Sequence, residues 1–153
     1  MKYFALYIFI SAILHVAEEY YYPGGFIEFG RKNVPKLKQR ITVKMAVIVN
    51  GLFLLLCGAG VLLADDYPKF ALSIAGLVLV NGVLHIFSSI FIRSYAPGLI
   101  TSVLLYVPIS IYVFASNNLS AGEIIIFICY GILYHLAVPL FLFSPFNKPK
   151  AAS

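Results

Sequence analysis

Apolar residues along this chain run in five long, nearly unbroken stretches, separated by short joints rich in Pro, Gly, Asp and Asn. Each stretch is long enough to cross about 30 Å of hydrocarbon at about 1.5 Å per residue. The pattern predicts spans at about Tyr3–Tyr21, Ile41–Ala64, Lys69–Ile92, Gly98–Ala115 and Ala121–Phe143. A backbone in lipid must satisfy its own hydrogen bonds, so each span reads as a helix. The joints are Pro23-Gly24-Gly25, Asp65-Asp66-Tyr67-Pro68, Tyr95-Ala96-Pro97-Gly98 and Ser116-Asn117-Asn118, all of them turn chemistry. Pro108 and Pro139 fall inside spans, where kinks are tolerated. The reading is an all-α integral membrane protein, with one five-helix domain over residues 1–143 and a flexible tail over residues 144–153.

Composition narrows the class further. Hydrophobic residues make up 61% and charged residues 11% of the 153 residues, against about 45–50% and about 25% in soluble domains. The mean hydropathy is +0.94. These values exclude a soluble globular domain, a disordered chain and a nucleic-acid-binding module. Lys2 and the run Tyr3–Leu14 imitate a signal peptide. A cut after Ala17 would set bulky His15 where cleavage needs a small residue, so the first helix reads as retained. Cys57 and Cys129 both lie in apolar runs and make no metal or disulfide motif.

The net charge of +5 is unevenly placed. Arg31, Lys32, Lys36, Lys38, Arg40, Lys44, Arg93, Lys148 and Lys150 fall on one side of a five-helix topology, and only Lys2 and Lys69 on the other. The positive-inside rule then puts the N-terminus outside and the C-terminus in the cytoplasm, with a bacterial inner membrane as the expected location. The segment after the first helix starts with Tyr20, Tyr21, Tyr22, Phe26, Ile27 and Phe29 and continues into basic residues. It reads as a long loop: an interfacial aromatic belt, or a lid over a cytoplasmic-side cavity or a patch for anionic lipid heads.

Ionisable residues within spans are costly, and here they form a pattern. His15, Glu18 and Glu19 stand at i, i+3 and i+4 on the first helix, and Asn81 and His85 at i and i+4 on the third. Counted from the outer helix ends, His15 and Asn81 lie about 18 Å deep, Glu19 and His85 about 24 Å, and His135 about 21 Å. One slab therefore holds polar groups from three helices, which points to one shared site. Asn50 and Tyr106 reach similar depths, as lining of the same cavity or as helix–helix hydrogen-bond partners.

His15-x-x-Glu18-Glu19 in a first membrane helix, followed by Asn81-x-x-x-His85 and a late His135, resembles the HXXEE family of small multi-pass membrane proteins. That family's third motif sets a tyrosine four residues before its histidine. The position here is Gly131, with Tyr130 and Tyr134 beside it, so no tyrosine role carries over. The resemblance implies a polar intramembrane site and enzymatic character, without naming a reaction.

Several chemistries suit these residues. Three His and two Glu are ligands for a divalent transition metal such as Zn, Fe or Mn. His15, Glu19, His85 and His135 would then be the ligands, with Asn81 and Glu18 orienting them. An open position would activate water or oxygen against a lipid-soluble small molecule taken from the bilayer. Without metal, Glu18 or Glu19 as acid, a histidine as base and Asn81 as oxyanion donor would serve acid–base catalysis on an apolar substrate. Haem between His85 and His135, or ligand and ion transport along the carboxylate–histidine chain, are further readings. Polar residues that merely join helices are the plain alternative. A shared site requires the three imidazoles and at least one carboxylate to converge.

Overall fold

A computed structural model of the chain describes residues 1–21 and 24–143. It contains six helices of eight residues or more among those residues: α1 (Lys2–Tyr21), α2 (Gly25–Asn33), α3 (Val43–Leu62), α4 (Pro68–Ile92), α5 (Leu99–Ser116) and α6 (Ala121–Phe143). A single 3-10 turn, Pro35–Leu37, lies between α2 and α3. Four helices, α3 to α6, are long and apolar enough to cross a membrane. α1 is as long as α3 but is diluted by His15, Glu18 and Glu19 at its C-terminal end.

Helix ends follow local chemistry. Thr42 caps α3 by accepting from the Met45 amide at 3.1 Å, and Pro68 opens α4, where a missing N–H costs nothing. Inside α5, Ser102–Tyr106 forms a π-helical turn. It lies just before Pro108, which has no amide to close an α-turn back onto Leu104.

α4 is the central helix. It packs along most of α6 and also touches α5, α1 and α3. Two glycines permit the α4–α6 approach. A Cβ on Gly76 would lie 2.3 Å from the Phe127 carbonyl oxygen, and one on Gly131 would lie 2.7 Å from that of Gly76. Ile8, Phe53, Leu72, Val78, Tyr106 and Phe127 belong to the core where these helices meet.

The predicted loop over residues 22–40 is corrected: α2 and the 3-10 turn occupy most of it. Its helical repeat is only nine residues long, too short to stand out beside Gly24, Gly25 and the basic run. Gly24 and Gly25 adopt positive φ, 82° and 57°, and a Cβ on Gly25 would meet the Glu19 carbonyl oxygen at 3.0 Å. The chain therefore doubles back sharply onto the end of α1. Basic residues hold the segment down: Arg31 Nε donates to the Ile41 carbonyl, and Arg40 Nη1 to the Leu142 carbonyl, both at 2.8 Å. Tyr22, Pro23 and the expected tail at 144–153, with Lys148 and Lys150, lie outside the described residues.

Candidate functional site

The site begins with helix geometry on α1. Successive residues turn by about 100°, so Glu18 and Glu19 leave the His15 face on opposite sides. Glu19 turns toward α4. Its Oε1 lies 3.3 Å from His85 Nε2 and 3.7 Å from His15 Nε2. Its Oε2 accepts from Asn50 Nδ2 of α3 at 2.8 Å. Glu19 is only 5% exposed and His15 only 1%, so bulk water cannot solvate this group. The two imidazoles meet edge to face with centroids 4.7 Å apart, and Tyr106 stacks on His15 at 4.4 Å. The π-turn therefore packs directly against the site.

Glu18 turns the other way, onto the start of α5. Its Oε1 accepts from the amides of Gly98 and Ile100, at 3.1 and 3.0 Å, and from the Tyr95 hydroxyl. Its Oε2 accepts from the Thr101 amide at 2.8 Å and the Thr101 hydroxyl at 2.6 Å. A carboxylate here satisfies amides that a helix N-terminus leaves free and suits the helix dipole.

That arrangement sets the proton on His15. Thr101 Oγ1 is also 2.8 Å from His15 Nδ1. A hydroxyl has one proton, and the short bond to Glu18 takes it. Thr101 therefore accepts from His15 Nδ1–H, and the Nε2 lone pair of a neutral His15 turns toward Glu19. Nε2 is buried without a hydrogen-bond partner. A lone pair facing a carboxylate oxygen is stable only with a cation between them, either a metal ion or a proton. Histidines that bind metals are commonly held this way, with the remote N–H tied to an oxygen acceptor.

The donor atoms of His15, Glu19 and His85 all lie within 4.8 Å of one another, and the group can hold a metal ion. The spacings of 3.3 and 3.7 Å bracket the edge of about 3.4 Å of a tetrahedron with bonds of about 2.1 Å. His135 stands outside this group. Its Nδ1 donates to the Gly131 carbonyl at 2.8 Å, and its Nε2 accepts from Asn81 Nδ2 at 3.2 Å. Asn81 thus pairs with His135 rather than with His85 one turn away, and its Oδ1 is buried without a partner.

A cavity of about 250 Å³ joins the two parts. Glu19, Asn50, Asn81, His85 and His135 line it, and most of its remaining wall is apolar, with Phe26 and Phe29 of α2 contributing to it. Among the residues singled out from sequence, Glu19, Asn50, Asn81, His85 and His135 line the cavity, and His15, Glu18 and Tyr106 do not; the buried Tyr106 hydroxyl has no hydrogen-bond partner either. Asn50 proves to be a partner of Glu19. Thr101, Tyr95 and Gly98 contact Glu18 or His15, which the sequence pattern did not reveal. Gly98 has φ 92°, and a Cβ there would lie 2.6 Å from His15 Cε1 and 2.9 Å from His85 Cε1.

Fold and site together define a helical membrane protein with a buried carboxylate–imidazole group at the edge of an apolar cavity. The family model described as a protein of unknown function with HXXEE motif matches residues 6–113. The chain belongs to that family. The match spans His15, Glu18, Glu19, Asn81 and His85 and ends before His135. No curated protein and no solved structure matches the chain.

Proposed function

We propose that this protein is a membrane-embedded enzyme whose His15–Glu19–His85 group holds a divalent transition metal, Zn, Fe or Mn, and which hydrolyses or oxidises a lipid-soluble substrate in the adjoining cavity. One observation carries the reading: two buried donors, His15 and Glu19, and the partly buried His85 converge beside a mostly apolar cavity. Two imidazoles and a carboxylate suit these metals, and bound metal would supply Lewis-acid or redox chemistry. Glu18 and Thr101 orient His15, and Asn50 holds Glu19. His135 and Asn81 face the substrate, where His135 Nε2, once released by Asn81 Nδ2, takes up or returns a proton and the unpartnered Asn81 Oδ1 can turn to accept from the protonated ring.

The topology belongs to the same proposal. α1 is the fifth span, the N-terminus is outside, and the site lies in the cytoplasmic half of a bacterial inner membrane. The basic residues of the α2–α3 segment support that orientation. The Nε2 of His135, on a separate imidazole with a fixed tautomer, favours a second reading, metal-free proton transfer on an apolar substrate.

Elemental analysis of detergent-purified protein separates the two. The metal reading expects one equivalent of metal, lost in a His15→Ala, His85→Ala double variant that keeps its helical circular-dichroism spectrum. No uptake from Zn, Fe or Mn solutions would leave the proton-transfer reading in its place.

A further inference from the structure

A second cavity, of about 500 Å³, shares Tyr134 with the first. The two follow one another in the same order on three helices. On α4, Phe70, Ile74 and Leu77 line the second cavity, whereas Asn81, Leu84 and His85 line the first. On α6, Ile126 and Tyr130 line the second, and His135 and Val138 the first. On α3 the change falls between Leu56 and Phe53. Tyr134 borders both cavities, and its hydroxyl donates to the Val49 carbonyl at 2.9 Å. Its ring thus reaches from α6 to α3 where the two cavities adjoin, and with that ring displaced they would form one furrow.

The furrow has the length and chemistry of a lipid tail. From His85 to Phe70 along α4 is about 22 Å of helix, more than the roughly 15 Å of hydrocarbon in one leaflet. The second cavity is mostly aliphatic and aromatic. Ser73 satisfies its own hydroxyl by donating to the Phe70 carbonyl at 2.7 Å. Lys69 and Glu123 pair with each other at 3.3 Å at the far end. Nothing in this lining calls for a polar ligand, and burying hydrocarbon in it is favourable.

We infer that the second cavity is a tail subsite and that the substrate is a lipid with one long hydrocarbon chain. Its polar end sits by Glu19, His85 and His135, and its chain passes Tyr134 into the furrow. The inference rests on the reading of the His/Glu group as the reacting end. Tyr134 is then a specificity-determining residue. Short chains stop before its ring, and long chains displace it from Val49.

The chain contains no tryptophan, so Phe70→Trp creates a lone fluorophore at the far end of the furrow. The probes are alkan-1-ols brominated at the terminal carbon, with short chains of about eight carbons or long chains of about eighteen, whose extended length matches the roughly 22 Å from His85 to Phe70. They are titrated into the full-length variant in detergent. The expected result is saturable quenching by the long probe at about one-tenth or less of the concentration the short probe needs, because each buried methylene adds to binding. Unbrominated long alkanol should reverse it. Equal, non-saturating quenching by both probes would overturn the proposal.

A second arm uses native mass spectrometry on the unlabelled protein. The wild type should retain one long alkanol in preference to the short one, and Ser73→Phe, which fills the second cavity, should lose that preference. Retention without chain-length preference would equally overturn the proposal. Metal content measured on the same preparations distinguishes the two failures. Metal without long-chain quenching removes the tail subsite only, and long-chain quenching without metal removes the metal reading only.

Discussion

Replacing Thr101 with Val tests the proton assignment on His15 without touching a proposed metal ligand. The substitution keeps the shape of the side chain and removes Oγ1, which lies 2.6 Å from Glu18 Oε2 and 2.8 Å from His15 Nδ1. Glu18 still accepts from the amides of Gly98, Ile100 and Thr101, so the start of α5 stays capped. The loss falls mainly on His15, which is 1% exposed and has no water to turn to. An orphaned buried donor costs about 1–3 kcal/mol. The imidazole can escape that cost by moving its proton to Nε2, where Glu19 accepts it. The lone pair then faces away from Glu19 and His85. Loss of such an orienting partner typically weakens metal binding by about 10–100-fold. Two assays follow in the detergent-solubilised protein: zinc affinity by competition with a chromophoric chelator, and nitrogen-15 shifts of the His15 ring. Wild type should keep a proton on Nδ1, with zinc on Nε2 in the loaded protein. Thr101→Val should carry the proton on Nε2 and bind zinc at least about tenfold more weakly, and Thr101→Ser should restore both. Unchanged zinc affinity together with an unchanged ring tautomer in Thr101→Val would refute the reasoning.

Three further outcomes follow from the same geometry. Gly98→Ala should abolish zinc uptake and lower the thermal midpoint, because the residue sits at φ 92° and its Cβ would lie 2.6 Å from His15 Cε1; thermal unfolding and elemental analysis check both. Gly131→Ala should destabilise the α4–α6 pair, since a Cβ there meets the Gly76 carbonyl at 2.7 Å and the Leu77 Cα at 3.0 Å; overpacking of this kind costs about 1–3 kcal/mol, and a denaturation midpoint equal to wild type would contradict the packing. Asn50→Leu removes the donor on Glu19 Oε2 and should weaken zinc binding while leaving helix content unchanged, read by chelator competition and circular dichroism.

Much of the fold is legible because apolar length dominates in a membrane. The span Ala121–Phe143 is predicted and observed at the same residues, and Pro68 begins α4 one residue before the predicted start. α2 is the exception: nine residues carry too little periodicity to compete with two glycines and a basic run. The site is legible where depth along parallel helices is enough. Glu19, His85, Asn81 and His135 do line one cavity. Depth carries no rotation about a helix axis, however. It could not show that Glu18 turns to α5 while Glu19 turns to α4, nor that Asn81 pairs with His135. Thr101 looks like an ordinary small residue in an apolar span, and its role arises only where α5 meets α1. Gly131 stands where the resemblance expects a tyrosine, and the close approach of Gly76 leaves no room for one. Tyr134, one turn along, reaches the cavity instead.

The central claim is that His15, Glu19 and His85 form one metal centre. X-ray absorption spectroscopy on the zinc-loaded protein tests it most directly. The account predicts a shell of two imidazole nitrogens with oxygen completing it, at about 2.0–2.2 Å. One imidazole should be lost in His85→Ala and none in His135→Ala. A shell of oxygens alone, or one that loses an imidazole only when His135 is replaced, would contradict it.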